Sequence, residues 1–486
     1  MFFKQKSSVL FRNYESFGYI TDNRNFAYLK INNSGNFIGD KILSESGAVF
    51  FSVLKKEAQH IDILVHKILQ KFIDIDFEAI KNDAFEFYSM LQDEGFVAAG
   101  STIQECEEND DRFNYKILKN LSSENNSTFN NSQRDTQDFF EEYFNGSPQL
   151  TNLHIEITSK CNERCIHCYI PHENKITNIN SDLFYSIIEQ CKEMKLLHLT
   201  LSGGEPMLHK NFCDFLKKCR EYDFSVNVLS NLTLLDDKII AEMKANPLLG
   251  VQVSLYSMNP IIHDEITQIK GSFEKTRNAI LKLHDNNIPM QISCPVMKQN
   301  KVCYDEVISW AKLYGIHVGN DSGIIAQYNN GTQNLDCRLS IVDIRDVMMD
   351  KISKDIGYLK QIEMEANKKK DITPNDFVCS VCHSSICIAE NGNVYPCAGW
   401  QGYVVGNLME ESLFDLWNSS EKVKYLRSLR RKDFPKCINC DDKEYCTMCM
   451  VRNSNENALG DPLIVNQHFC DVAKLNKQTI LACKNE

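Results

Sequence analysis

What this 486-residue chain lacks narrows its class first. It has no run of 18 or more apolar residues, the length a membrane-crossing helix needs, so no membrane partner is expected. It has no excess of positive charge. Its 65 acidic residues outweigh 53 Lys and Arg, giving a net charge of −12. An acidic surface repels phosphate backbones, so no nucleic-acid partner is expected. The opening stretch, "MFFKQKSSVLFRNYESFGYI", has neither the long apolar core nor the small-residue cleavage site of a signal peptide, so a cytoplasmic location is expected. No Ser/His/Asp triad or general-base pair stands out, which removes that route to hydrolysis.

Cysteine, by contrast, is abundant: there are 20, and only Cys106 precedes residue 161. In a reducing compartment so many cysteines point to metal or redox chemistry rather than to disulfides. A hydrophobic content of 43% allows real cores, and the length suggests about three domains.

Residues 1–100 read as one unit. "FGYITD" and "FAYLKIN" alternate like strands. Helical periodicity runs over 44–72, and a further helix over 76–93 ends at Gly95. Two strands followed by three helices predict a winged-helix-like domain. A linker follows over 101–146, Asn/Ser-rich at 121–134. From 147 to 340, "LHIEIT", "LLHLTLS", "FSVNVLS", "GVQVSLY", "IPMQISC" and "IHVGNDSGII" alternate with helical segments. Regular alternation implies parallel βα units. Six of them suit an incomplete (β/α)6 barrel in an α/β fold, with its site at the C-terminal strand ends. An amphipathic connecting helix is expected over 341–375, before a cysteine-rich tail over 376–486.

The first of those strands runs directly into "CNERCIHCY", with Cys161, Cys165 and Cys168. Three thiolates on one loop can hold three corners of an iron–sulfur cubane and leave the fourth iron open. An open coordination position marks a reactive metal centre, as it does for zinc. The bland alternative is a zinc site short of one ligand. Cys191, Cys213, Cys219, Cys294, Cys303 and Cys337 have no ligand spacing and read as small buried hydrophobes. The tail holds Cys379, Cys382, Cys387 and Cys397, then Cys437, Cys440, Cys446 and Cys449, and finally Cys470. Read alone, its C-x2-C pairs suggest a zinc ribbon.

The C-x3-C-x2-C-aromatic loop resembles the signature of the radical S-adenosylmethionine superfamily. "LSGGEP" (201–206), "SLYS" (254–257) and "HDEITQIKGSFEKT" (263–276) fall where that family has comparable segments. The resemblance implies that the open iron binds S-adenosylmethionine. It makes Cys161, Cys165 and Cys168 the catalytic cluster ligands. Gly203 and Gly204 would let backbone approach the cosubstrate, Glu205 would accept from its ammonium group, and Tyr169 would lie against the adenine. Asn231 and Ser254 rank as weaker cosubstrate contacts. It also implies an electron passed to the sulfonium, a 5′-deoxyadenosyl radical, and hydrogen abstraction from a peptide carbon.

"GNVYPC", "VVGNLMEESLFDLW" and the C-x2-C-x5-C run resemble the SPASM extension, which implies two auxiliary [4Fe–4S] clusters. The final spacing is C-x2-C where the family usually has C-x3-C. By that pattern Cys437, Cys440, Cys446 and Cys470 hold an outer cluster. Cys449 and Cys397 join two of Cys379, Cys382 and Cys387 on an inner one, with Cys387 ranked last. Residues 1–100 resemble the RiPP recognition element, related to the pyrroloquinoline quinone biosynthesis chaperone. A groove between a strand near 26–31 and a helix at 61–72 would take the leader of a ribosomally made precursor peptide by strand addition. Together these resemblances imply an oxidoreductase-type peptide maturase served by an external low-potential electron donor. Thioether cross-linking comes first. Carbon–carbon or carbon–oxygen cross-linking, epimerisation and formylglycine formation of the anaerobic sulfatase-maturase type are alternatives.

Overall fold

The computed structural model describes residues 1–22, 40–72, 75–116, 140, 143, 144, 146–354, 356–369 and 372–484. The N-terminal region has more strand than its sequence suggests. Strands β1 (Phe2–Gln5), β2 (Val9–Tyr14), β3 (Phe17–Asp22), β4 (Lys41–Leu43), β5 (Gln59–His60) and β6 (Val97–Gly100) make two antiparallel three-stranded sheets, ordered β5-β1-β6 and β2-β3-β4. The expected strand "FAYLKIN", and with it one wall of the expected groove, lies outside the described residues, as does the stretch 121–134. The periodicity over 44–72 resolves into two helices, Glu45–Ser52 and Ile61–Leu69, with β5 between them. The third helix is Phe77–Asp93, capped by Asp76, whose carboxylate accepts from the Glu78 and Ala79 N–H groups. These elements close their own apolar core around Phe3, Phe51, Leu64 and Tyr88.

The second sheet system carries the site. Strands β7 (Asn152–Thr158), β8 (His198–Gly203), β9 (Ser225–Ser230), β10 (Leu249–Ser254), β11 (Met290–Ser293) and β12 (His317–Gly319) are parallel and adjacent in chain order. This is the expected six-stranded βα array, although the last strand is only three residues long. Alternation divides each strand between two faces. Ile155, Leu199, Val228, Val253 and Ile292 point outward into the core under the helices. His154, Glu156, Ser202, Asn227, Ser254 and Ser293 take the other parity, so the concave face is polar.

The array does not end at six strands. β13 (Ser385–Ile388) joins β7 in parallel, with Cys387 opposite His154. β14 (Asn393–Tyr395) and β15 (Gly406–Asn407) extend it antiparallel, making nine strands. The tail therefore shares the barrel's core: Trp400, Leu416, Trp417 and Phe434 pack in one apolar cluster with Ile155 and Val228. Arg338 grips Glu456 with two hydrogen bonds, 2.8 and 3.1 Å, across the same junction. The expected single connecting helix is two, Ile341–Lys354 and Ile356–Lys368.

Arg12 ties the N-terminal region to the barrel. Its Nε donates to the Leu196 carbonyl at 2.8 Å and a terminal nitrogen to the Asp223 carbonyl at 2.9 Å. Among the described residues no helix is long and apolar enough to cross a membrane.

Candidate iron–sulfur and cosubstrate site

The loop Cys161–Cys168 begins three residues after β7 ends and is strapped down by backbone, not by its cysteines. Arg164 N–H donates to the Thr267 carbonyl and Ile166 N–H to the Ile266 carbonyl, both at 3.0 Å. Those are terminal carbonyls of the helix Pro260–Thr267, which find no partner within their own helix. The same segment then turns through Gln268 and Gly271, both at positive φ. Asp264 caps the next helix, Ser272–Asp285, accepting from Phe273 N–H at 3.0 Å and the Ser272 hydroxyl at 2.9 Å. "HDEITQIKGSFEKT" thus acts by holding the cysteine loop's outer edge.

Gly203 and Gly204 hold the inner edge. Gly204 N–H donates to the Thr158 carbonyl and Glu205 N–H to the Lys160 carbonyl, 2.8 Å each. Gly203 sits at φ +135°, and a Cβ there would lie 1.8 Å from the Thr158 oxygen; one on Gly204 would lie 2.2 Å from the Lys160 oxygen. What excludes a side chain is the protein's own loop.

Glu205 is likewise occupied. Fully buried, its carboxylate accepts from Ser230 Oγ at 2.8 Å, Asn231 N–H at 2.8 Å and Met207 N–H at 3.0 Å. Burial pushes its pKa up to about 7 against the pull of those donors. Within the protein it joins the ends of β8 and β9. Asn231 carries the link to the loop, donating from Nδ2 to Asn162 Oδ1 at 3.0 Å while Oδ1 accepts from Thr233. Asn231 is therefore engaged in positioning the loop.

Ser254 ends β10 beside the hydroxyl of Tyr256. That hydroxyl reaches Cys165 Sγ at 4.0 Å and His167 Nε2 at 3.4 Å. Tyr169, expected against an adenine, donates its hydroxyl to Glu156 Oε1 at 2.7 Å on the concave sheet face. Tyr256, Asn162, Glu163 and Asp264 escaped the sequence reading. For Glu156 and His154 a signal did exist: in "LHIEIT" two polar residues alternate with Leu, Ile and Ile.

The loop's polar surroundings fit a bound cationic centre. Cys165 Sγ lies 3.4 Å from Glu163 Oε2, while Glu163 Oε1 and His167 Nδ1 are buried without a hydrogen-bond partner. Burial pushes the Cys161 thiol up to about 12, and burial together with Glu163 and the neighbouring thiols pushes Cys165 well up. An iron cluster is the counter-charge that makes three thiolates tolerable there. A single zinc is the wrong size. Thiolates at 2.3 Å from one ion lie roughly 3.8 Å apart, and among the described residues no three cysteine sulfurs lie within 4.8 Å of one another.

The tail separates into two sets. Cys437 and Cys446 feel the charge of Cys440 and Cys470, and these four line one cavity of ≈180 Å³ together with Cys449. Arg431, Lys436 and Arg452 line it too. Cys379, Cys382 and Cys449 gather around Cys397 as the second set, and Cys397 acts on Cys387 too. Each set offers four thiols, the complement a [4Fe–4S] cluster takes. Cys387 is the ninth cysteine. Its register opposite His154 turns it to the concave face, where its sulfur groups with His154 and Glu156. Cys397 acts on it as well, so it also neighbours the second set. Cys191, Cys219, Cys294, Cys303 and Cys337 are buried, and Cys213 is half-buried.

A polar concave sheet with an open three-cysteine loop at its strand ends, beside two four-cysteine sets, defines a radical S-adenosylmethionine enzyme with an auxiliary iron–sulfur domain. Residues 155–311 match the model of the Radical SAM superfamily, and residues 379–441 match that of SPASM, an iron-sulfur cluster-binding domain. The chain carries both domains, and its relatives include peptide-modifying proteins. It is 25% identical over 60% of its length to the tungsten-containing aldehyde ferredoxin oxidoreductase cofactor-modifying protein of Pyrococcus furiosus, covering 88% of that protein. It is 24% identical over 64% of its length to the antilisterial bacteriocin subtilosin biosynthesis protein AlbA of Bacillus subtilis, covering 70% of it. The crystal structure of Streptococcus suis SuiB bound to precursor peptide SuiA shares the fold at TM-score 0.59. The match spans 96% of this chain and 99% of that one, at 16% identity.

Proposed function

We propose that this chain matures a ribosomally made precursor peptide by installing a thioether cross-link. The observation that carries the reading is the unequal provision of cysteine. One loop offers three and leaves a coordination position free, while two tail sets offer four each. When bound there, the cluster and S-adenosylmethionine supply a deoxyadenosyl radical that takes a hydrogen atom from carbon. The protein's own residues position and shield. The straps from Thr267, Ile266, Gly204 and Glu205 fix the loop. Asn231 and Asn162 brace it from β9. Ser202, Ser254 and Ser293 offer the concave face as a polar bed for peptide. The tail cysteines would hold auxiliary clusters, which would supply one-electron redox capacity beside the site, and an external low-potential donor would serve the loop's cluster.

Among the described residues the N-terminal sheet β2-β3-β4 has β4 as an edge. A leader peptide adding there by backbone hydrogen bonds would raise the core peptide's effective concentration at the strand ends. On this reading residues 1–100 are a RiPP recognition element.

The test is anaerobic turnover with short peptides encoded beside this chain. Cross-linking as a thioether predicts loss of two hydrogen atoms per event, together with loss of one alkylatable thiol. The same mass change with every thiol still alkylatable would leave a carbon–carbon or carbon–oxygen link. No mass change with deuterium uptake at Cα would mean epimerisation.

A further inference from the structure

We infer that His154, Glu156 and Cys387 form a mononuclear site for a divalent cation of the zinc class, on the concave sheet face and separate from the three cysteine sets. The site follows from register. Cys387 on β13 stands opposite His154 on β7, and Glu156 lies two residues further along β7, so all three share one face. One ligand atom from each lies within 4.8 Å of the others, and no other group of three or more such residues does so among the described residues.

Hydrogen bonding among the three does not account for this convergence: among the described residues none joins two of them. Each partner comes from outside. Tyr169 and Gln401 donate to the two oxygens of Glu156, and His154 Nε2 bonds Ser202 Oγ. One ring nitrogen is thus engaged with the Ser202 hydroxyl, and a neutral imidazole keeps one lone pair for a metal. Glu156 and Cys387 are fully buried, and burying a carboxyl and a thiol beside an imidazole without mutual hydrogen bonds is costly. A divalent cation at their centre removes that cost. The thiol and any carboxylic acid proton leave to solvent, and one thiolate, one carboxylate and a neutral imidazole cancel the ionic charge.

Mixed nitrogen, oxygen and sulfur ligation favours zinc over calcium or magnesium, and three protein ligands are the complement of an open zinc site. The position is suggestive as well. Tyr169 directly follows Cys168, and Gln401 follows Cys397 by four residues. The trio is therefore bonded to segments that carry two different cysteine sets. The inference stands on the trio alone and does not depend on which cross-link is made.

The test uses the full chain, prepared anaerobically with its iron loaded, exposed to zinc chloride and desalted. Metal content is read by mass spectrometry, and zinc surroundings by absorption at the zinc edge, which iron does not obscure. The expected result is about one zinc per chain, with one sulfur near 2.3 Å and two or more nitrogen or oxygen neighbours near 2.0 Å. Cys387→Ala should lower retained zinc by about tenfold or more with iron unchanged. His154→Gln should do the same, and it decides the matter if Cys387→Ala loses iron through misfolding. Zinc absent from the wild type, retained equally by both variants, or surrounded by sulfur alone would overturn the site. Deoxyadenosine release, measured separately, bears on the cluster loop and not on this trio.

Discussion

The cysteine loop at 161–168 and the outer tail set of Cys437, Cys440, Cys446 and Cys470 collect the same side chain for different ends. Buried carboxyls crowd the loop, Glu163 against Cys165 and Glu205 acting on Cys161, with Lys175 as the opposing cation. The loop is braced from three sides by backbone of other elements. The tail set is built locally, on two single turns, Pro435–Ile438 and Lys443–Tyr445, and the long helix Gln467–Lys484. Its cavity is lined by Arg431, Lys436 and Arg452. A closed four-thiolate cluster carries net negative charge, which cations stabilise. An open site must instead be held rigid, because one corner is left to an exchangeable ligand. Number of thiols, charge of the lining and source of rigidity therefore differ together.

The largest test of that contrast removes the thiols. Cys161, Cys165 and Cys168 changed together to Ala should lose about four irons per chain and all S-adenosylmethionine-derived deoxyadenosine. Cys446→Ala should lose a similar amount of iron yet still release deoxyadenosine when given a strong reductant. Equal loss of release in both proteins would erase the distinction between an open and a closed set.

Rigidity comes next. Gly204→Ala places a methyl 2.2 Å from the Lys160 oxygen and 2.5 Å from the Ser159 oxygen, both backbone. Such a clash costs about 3 kcal/mol and should displace the loop, lowering iron retention in the three-cysteine site. Gly460, in the tail, also has positive φ (+64°), but its nearest atom to a Cβ is 3.9 Å away. Gly460→Ala should cost only the backbone preference, about 1 kcal/mol. Urea denaturation of the iron-loaded proteins compares the two.

How much of this was legible in the sequence depends on the kind of information. The six parallel strands were, because each is a short apolar run between helices of ordinary length. The three-cysteine loop was, because its spacing is local; the division of the tail cysteines came from the resemblance to the SPASM extension, spacing alone suggesting a zinc ribbon. Strands β1 and β5 were not: "FFKQ" and "QH" are too short to show a period, and they form only because β6 returns from residue 97 to pair with β1. Nor were the bonds by which Gly204, Glu205 and Asn231 hold the loop, since composition cannot tell which partner a polar group meets. The placing of Cys387 on the concave face was hidden for a similar reason. Its face is set by a register with β7 more than 230 residues away.

Glu205 offers a finer test through pH. Its pKa is raised from 4.5 to about 7, first by burial. The unfolded chain therefore gives up this proton more readily than the folded one. The stabilisation is complete below about pH 4.5 and disappears as pH rises through about 7, amounting to about 3 kcal/mol. Glu205→Gln cannot titrate, so its unfolding free energy should lack that fall. It should also start lower at acid pH, because its amide meets the Asn231 N–H donor-to-donor, a loss of about 1–3 kcal/mol. The two curves should converge between pH 5 and 8. Parallel curves would mean that Glu205 titrates normally and does not brace the loop as described.

The smallest expected effect probes the charge contrast itself. Arg431 and Lys436 act on Cys437, and Lys436 acts also on Cys470. Replacing both with Met removes two cations beside a negatively charged set, so its reduction, which adds an electron, becomes harder. The midpoint potential of the corresponding signal in a redox titration followed by electron paramagnetic resonance should fall by on the order of 50 mV. The signal from the three-cysteine site should stay where it is, because neither cation is among the charges acting on Cys161 or Cys165. Lys175 does act on both of those thiols, so Lys175→Met should shift only the loop's signal. A shift of both signals by either change would mean that the two regions share one electrostatic environment, and the division between a carboxyl-crowded open site and a basic closed one would not hold.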